Sequence, residues 1–236
     1  MAKAHMKRIA APRTWPILRK AHTFIRRPRP GSQKLETGMS IASWLTEQLG
    51  IASNAREARA ALRSGAVLVN TRTIRDPSRI VGLFDVISIP AQDAHYMIVF
   101  NTKNTLTPVP LKSYDKTKIS RISAKRMVRG AKKQYTTMEG YTFTTDKDYT
   151  VGDTVRLDLE KMEISATYPL KKGSRVYFIR GLSVGKYGTI ANEISTQEVE
   201  IEVDDKVVRT DKDVVIAVEG HLEQALKTLH KQEESA

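Results

Sequence analysis

The side chains in this sequence able to do chemistry are mostly cations, and they are grouped. Lys and Arg number 39 against 26 Asp and Glu, a net charge of +13 over 236 residues. The first 35 residues hold ten bases (Lys3, Lys7, Arg8, Arg13, Arg19, Lys20, Arg26, Arg27, Arg29, Lys34) and no acid. Residues 103–133 hold ten more, with Asp115 the single acid, whereas residues 191–236 hold twelve acids and five bases. Blocks of one sign call for a polyanion, because each Lys or Arg neutralises a phosphate and releases its counterion. Trp15 and Phe24 lie among the opening bases, and a ring can stack on an unpaired base. The contacts expected from the opening are Lys7, Arg8, Arg13, Trp15, Arg19, Lys20, Arg26, Arg27, Arg29 and Lys34. An anionic membrane would also attract such charge, but no basic segment has an amphipathic apolar face to insert.

Bond-making chemistry finds little support. With no cysteine there is no disulfide framework and no thiolate metal site. His5, His22, His95, His221 and His230 have no ligand spacing, so neither metal nor cofactor is expected. The stretch "GLSVGKY" (181–187) imitates a phosphate-binding loop. Three residues separate its glycines where that loop needs four, and Tyr187 stands where a hydroxyl should follow the lysine. No apolar run reaches the ~18 residues of a membrane span. The opening lacks the apolar stretch of a secretory signal, and it is too Pro-broken and Ser-poor for a mitochondrial transit peptide.

The elements that must carry these cations fall into five stretches. In 1–39, Pro12, Pro16, Pro28 and Pro30 prevent a long helix, so a basic arm is expected, extended when free and ordered on RNA. In 40–105, Ser40 is placed to cap a helix bearing Ile41, Trp44, Leu45 and Leu49, with Gly50 as its stop. Asn54 and Glu57 form a capping-box pattern before a second helix. Ala55, Ala58 and Leu62 share one face of it, and Arg56, Arg59 and Arg63 another. A hairpin follows, turning at Asn70 and Thr71 and carrying Arg72 and Arg75, and then the alternating strand "DVISI". Only Glu57 and Asp76 oppose the six arginines of this helix–hairpin stretch. Five guanidiniums on one surface suit the shallow minor groove and phosphates of structured RNA.

Residues 106–170 read as a small antiparallel sheet behind the Pro108–Pro110 boundary, with Lys125, Arg126, Arg129, Lys132 and Lys133 on a loop or short helix. Residues 171–218 read as five short strands closing a small barrel. Its Gly-rich loop carries Lys186 at the tip and Arg180 beside it. Residues 219–236, with Leu222, Ala225, Leu226 and Leu229 at helical spacing, read as a terminal helix and tail. The expected fold class is α+β and multi-module.

The stretch "REARAALRSGAVLVNTRTIR…DVISI" resembles the S-four-type RNA-binding domain, with Asn70–Thr71 where that family's hairpin often turns on Gly. The Gly-rich loop resembles the KOW motif, which implies an SH3-like barrel. "HMKRIAAPRTW", "RPRPG" and "VGDTVRLDL", together with the order of modules, resemble the small-subunit ribosomal protein family of archaea and eukaryotes known as S-four-e, its archaeal members above all. The resemblance implies a structural, non-catalytic protein of the cytoplasmic ribosome. Its partners would be small-subunit ribosomal RNA and neighbouring ribosomal proteins, with no membrane and no small-molecule substrate. Two other readings use the same pieces. A pseudouridine synthase would place its catalytic Asp at Asp158, in Val155-Arg156-Leu157-Asp158 where those enzymes have Gly-Arg-Leu-Asp. A regulatory factor would act through the KOW piece alone.

Overall fold

A computed structural model describes residues 5–129, 132–195, 198–203, 206–218, 222, 223, 226, 228 and 229. The expected turn at Asp204 and Asp205, and Ala225 of the expected terminal helix, lie outside these residues. The chain divides into two compact units, 1–114 with 228–236, and 115–227. Both are mixed modules of mostly β structure; among the described residues α-helix forms Ile41–Ser43 and Ala55–Arg63, and residues 222, 223, 226, 228 and 229 are helical as well.

The first unit is built around two capped helices. The Ser40 hydroxyl accepts from the Ser43 amide, and Ile41–Ser43 runs on as a wider π turn, Trp44–Gln48. Trp44 is fully buried and its indole donates to the Val81 carbonyl at 2.9 Å. Asn54 Oδ1 accepts from the Arg56 and Glu57 amides at 2.9 and 3.0 Å. Glu57 reaches back one residue further than a capping box does, accepting from the Ser53 amide at 2.8 Å. This bond holds the Glu57 carboxyl below its ordinary range. Ala58 and Leu62 are buried, whereas Ala55, in the first turn, is exposed. Asn70 and Thr71 both take positive φ, 49° and 70°, which makes a two-residue turn matched to the strand twist. A five-stranded antiparallel sheet follows, in the order Arg72–Thr73, Leu68–Val69, Val86–Ile89, Ala94–Phe100, Leu106–Leu111.

The last of these strands corrects the boundary expected at 105/106. Leu106–Leu111 pairs with Ala94–Phe100 along its whole length, so the first unit continues to Tyr114. Pro108 and Pro110 sit on the sheet's edge, where a missing amide costs no ladder bond.

The opening segment is corrected too: it is a folded part of the first unit. His5–Lys7 pairs antiparallel with Phe24–Arg26, burying Met6 and Ile25. Arg8 grips Glu47 through both guanidinium arms, at 2.9 and 2.7 Å, and its Nε donates to the Leu18 carbonyl at 3.0 Å. The Arg8 side chain is 3% exposed. Trp15 is 2% exposed and donates to the Leu35 carbonyl at 2.9 Å. The chain was expected to lack a core here because it has few apolar residues; it borrows one from the helices after it.

The second unit holds two antiparallel sheets. The first runs Thr142–Thr145, Lys133–Thr137, Thr117–Met127, Thr154–Asp158, Glu163–Tyr168. Its central strand, eleven residues long, goes unread in the sequence because polar residues interrupt its buried run, which also holds Ile119 and Ile122. Lys118, Ser120 and Arg121 are buried; Lys118 lies over the Tyr141 ring at 5.5 Å and Ser120 bonds Glu139. The second sheet runs Lys206–Asp211, Glu198–Val203, Tyr187–Glu193, Arg175–Phe178, Val215–Ala217. Val199, Ile201 and Val203 face its core with Val176, Phe178 and Ile190, as the alternation requires. Gly188 is needed for close approach: a Cβ there would collide with the Glu202 carbonyl oxygen and crowd Ile201. The two sheets are tied within the unit, since the Ala217 amide donates to Thr154 Oγ1 at 2.9 Å and Arg121 pairs with Asp213. Beyond them Leu222, Glu223, Leu226, Thr228 and Leu229 are helical, and the three leucines are buried.

Three outcomes follow. Arg8→Ala strands a half-buried Glu47 and should cost about 2 kcal/mol, against under about 0.5 kcal/mol for exposed Arg13→Ala; urea unfolding of the full chain compares them, and equal midpoints would detach the opening from the core. Gly188→Ala should destabilise by roughly 1–3 kcal/mol, read as a lower thermal midpoint. The lowered Glu57 pKa contributes stability above the unfolded carboxyl's pKa, lost as pH falls through the folded value. Glu57→Gln should therefore lose less stability than wild type on acidification below about pH 4.5, measured by urea titration at each pH.

Candidate nucleic-acid interface

Three basic surfaces emerge, each described on its own unit. On the first unit, Arg56, Arg59 and Arg63 project from the exposed face of Ala55–Arg63, opposite Ala58 and Leu62. Arg72 and Arg75 are exposed on the following hairpin. None of the five side chains has a hydrogen bond or ion pair among the described residues. The reason lies with the acids. Glu57 is engaged by Ser53 and Asn54. Asp76 accepts from the Ser78 amide and pairs with Arg29 at 3.0 Å. Asp85 is buried and accepts from the Gly82 amide and Asn70 Nδ2 at 2.9 and 2.6 Å. The apparent neutrality of this stretch therefore does not cancel the charge of its arginines.

Within the opening segment, Lys7, Arg13, Lys20, Arg27, Arg29 and Lys34 are exposed. Arg8 and Trp15 are not available to a ligand, being consumed by the packing described above. Arg19 is half-buried and clasps the Ala11 and Pro12 carbonyls at 2.7 Å each. Arg26 is half-buried beside the Ser78 hydroxyl at 3.3 Å. The exposed ring is Phe24, in T-shaped contact with His5 at 6.1 Å between centroids.

On the second unit the basic block is a β-hairpin, not the loop or short helix expected. Lys125, Arg126 and Met127 pair with Tyr135, Gln134 and Lys133. Lys125 and Lys133 both bind Asp148, the latter at 3.0 Å, and the Tyr135 hydroxyl donates to the same carboxylate at 3.0 Å. These donors drive the Asp148 pKa far down, and the Asp148 carboxylate in turn raises that of Lys125. Arg126, Arg129 and Lys132 remain exposed, without a partner among the described residues, beside exposed Met127 and Val128.

The Gly-rich loop turns through Gly181 and Gly185, at φ of 88° and 83°. Its tip is Leu182, fully exposed, and not Lys186. Lys186 is half-buried at the loop's base, its amide bonded to the Ser183 carbonyl at 3.1 Å. Arg180 is exposed as expected, and Tyr187 half-exposed.

Asp158 is no catalyst in this setting. Its Oδ1 accepts from the Glu160 and Lys161 amides at 2.9 and 3.2 Å, a turn-forming role that also lowers its pKa. Among the described residues no cluster of three His, Asp or Glu could hold a metal, and no helix is long and apolar enough to cross a membrane.

Known proteins share this organisation. The RS4NT domain model matches residues 2–36, the S4 domain model residues 40–87, and the model for ribosomal family S4e residues 92–164. The small ribosomal subunit protein eS4 of Nanoarchaeum equitans is 38% identical over 231 residues, covering 94% of this chain and 97% of the relative. That of Methanocella arvoryzae is 35% identical, covering 80% and 81%. The crystal structure of the 30S ribosomal protein S4e from Thermoplasma acidophilum superposes with a TM-score of 0.61 at 27% identity, covering 77% of this chain and 94% of that one. An S4 domain between a folded basic opening and a β-rich second unit, matched from end to end by such relatives, makes this chain a member of ribosomal family S4e.

Proposed function

We propose that the chain is a structural constituent of the small ribosomal subunit that binds and braces small-subunit ribosomal RNA, in the cytoplasm, beside neighbouring ribosomal proteins. It is not an enzyme. The observation that carries this is the guanidinium ridge Arg56, Arg59, Arg63 with Arg72 and Arg75, exposed and left without an acid on an S4 domain. The exposed bases Lys7, Arg13, Lys20, Arg27, Arg29 and Lys34 extend it. Arg126, Arg129 and Lys132 on the hairpin and Arg180 on the Gly-rich loop supply further phosphate contacts. Lys125 and Lys133 order the hairpin through Asp148. In this reading 171–218 is a KOW-type SH3-like barrel followed by a C-terminal helix. The strand order, with Val215–Ala217 returning beside Arg175–Phe178 after the 3-10 turn Lys212–Val214, supports it.

The binding is electrostatic and geometric. Each phosphate contact contributes about 0.7–0.9 to the slope of log affinity on log salt. Arg59→Glu with Arg63→Glu should leave circular dichroism unchanged, weaken binding to an archaeal small-subunit ribosomal RNA transcript at least about tenfold, and lower the salt slope by about 1.5–2. Unchanged affinity in a folded variant would remove the ridge from the interface.

A further inference from the structure

The two-stranded ribbon at the start of the chain has unlike faces. Met6 and Ile25 are buried beneath it. By the strand alternation, His5, Lys7, Phe24 and Arg26 share its outward face. That face therefore sets two rings between two cations. Phe24 is 56% exposed although it stands on a segment whose other large ring, Trp15, is sealed. The His5 ring packs against it in a T-shaped pair at 62°, and more than half of Phe24 stays open to solvent.

Beside the rings lies a hollow of about 330 Å³ reaching Ala55 and Ser78. On the other side of Arg26 and Arg27 runs a cleft of about 660 Å³, walled by Pro28, Pro30 and Arg29 and also touching Ser78. The two hollows share Arg26, Arg27 and Ser78. Aromatic surface and guanidinium-lined cleft are thus adjoining parts of one surface, on a segment with no acid from residue 1 to 35. Arg29 carries the nearest acid, Asp76, in an exposed pair at 3.0 Å, which solvent screening leaves exchangeable.

We infer that this ribbon is a site for one unpaired nucleotide of the bound RNA, its base stacked on Phe24 beside His5 and its phosphate held in the arginine cleft. The chemistry selects this occupant: a stacked base needs an open π face, and the adjoining phosphate needs cations at one nucleotide's remove. An apolar protein partner would offer the arginines of the cleft no anion. The inference rests on the RNA-binding reading and adds a contact that a duplex groove cannot supply.

The test uses the full chain and an archaeal small-subunit ribosomal RNA transcript. Phe24→Leu, a surface change that keeps charge and apolarity, should weaken binding about 5- to 100-fold with the salt slope unchanged. Phe24→Trp should bind like wild type. Ultraviolet cross-linking of the wild-type complex followed by trypsin should leave a single nucleotide on peptide 21–26, whether or not Phe24→Leu folds. Wild-type affinity in a folded Phe24→Leu, failure of Phe24→Trp to match wild type, or a cross-link map that skips this peptide would overturn the site. If the Arg59 and Arg63 variant still lost affinity in that case, the nucleotide site alone would fall. A wild-type chain that ignored the transcript would overturn both readings.

Discussion

Four carboxylates of the first unit, Glu47, Glu57, Asp76 and Asp85, are engaged by backbone amides or by Arg8 and Arg29, and not by the arginines of the ridge. Glu57 bonds the Ser53 amide, Asp85 the Gly82 amide, Asp76 the Ser78 amide, and Glu47 the buried Arg8. Each of these bonds serves the fold, as a helix cap, a turn or a clasp. Each also removes one anion from the surface on which Arg56, Arg59, Arg63, Arg72 and Arg75 stand. Stability and binding are therefore linked through the acids: the same hydrogen bonds that order the backbone leave the cations unneutralised. A surface whose formal charges cancel in number can still present a positive field, because field depends on where the charges sit.

Buried polar groups play the corresponding role inside. Arg8 brings a bidentate ion pair to the junction between the opening segment and the first helix, and Lys118, Ser120 and Arg121 line the inner positions of the longest strand. Such groups are tolerated only where every one finds a partner. Here the partners are far apart in sequence: Arg8 with Glu47, Ser120 with Glu139, Arg121 with Asp213. Each pairing ties one stretch of chain to another within its unit. In the second unit, Arg121 and Thr154 join its two sheets.

Charge in the hairpin obeys the same accounting. Of its five cations expected to meet RNA, two close on Asp148 and three stay exposed. The Gly-rich loop distributes its residues in the reverse of the expected way. Leu182 takes the tip and Lys186 the base, while Val184 between them turns inward.

The sequence by itself determined the modular order, the helix caps at Ser40 and Asn54, the Asn70–Thr71 turn, the alternating strands around Val199 and Val155, and the clustering of positive charge. All of these are written in neighbouring residues, through periodicity, capping and turn chemistry. Only the tertiary structure decided which cations are free. Whether Arg8 faces solvent depends on Glu47, and whether Lys125 is neutralised depends on Asp148, partners that linear spacing does not disclose. The same holds for Trp15 and Phe24, two rings in one basic segment: one is drawn inward by the Leu35 carbonyl, the other left on the outer face of a ribbon by a two-residue alternation. It holds too for the Thr117–Met127 strand, where buried Lys118, Ser120 and Arg121 between Ile119 and Ile122 obscure the apolar pattern that announces a strand. Long-range pairing assigns burial, and burial separates a cation that binds from one that braces.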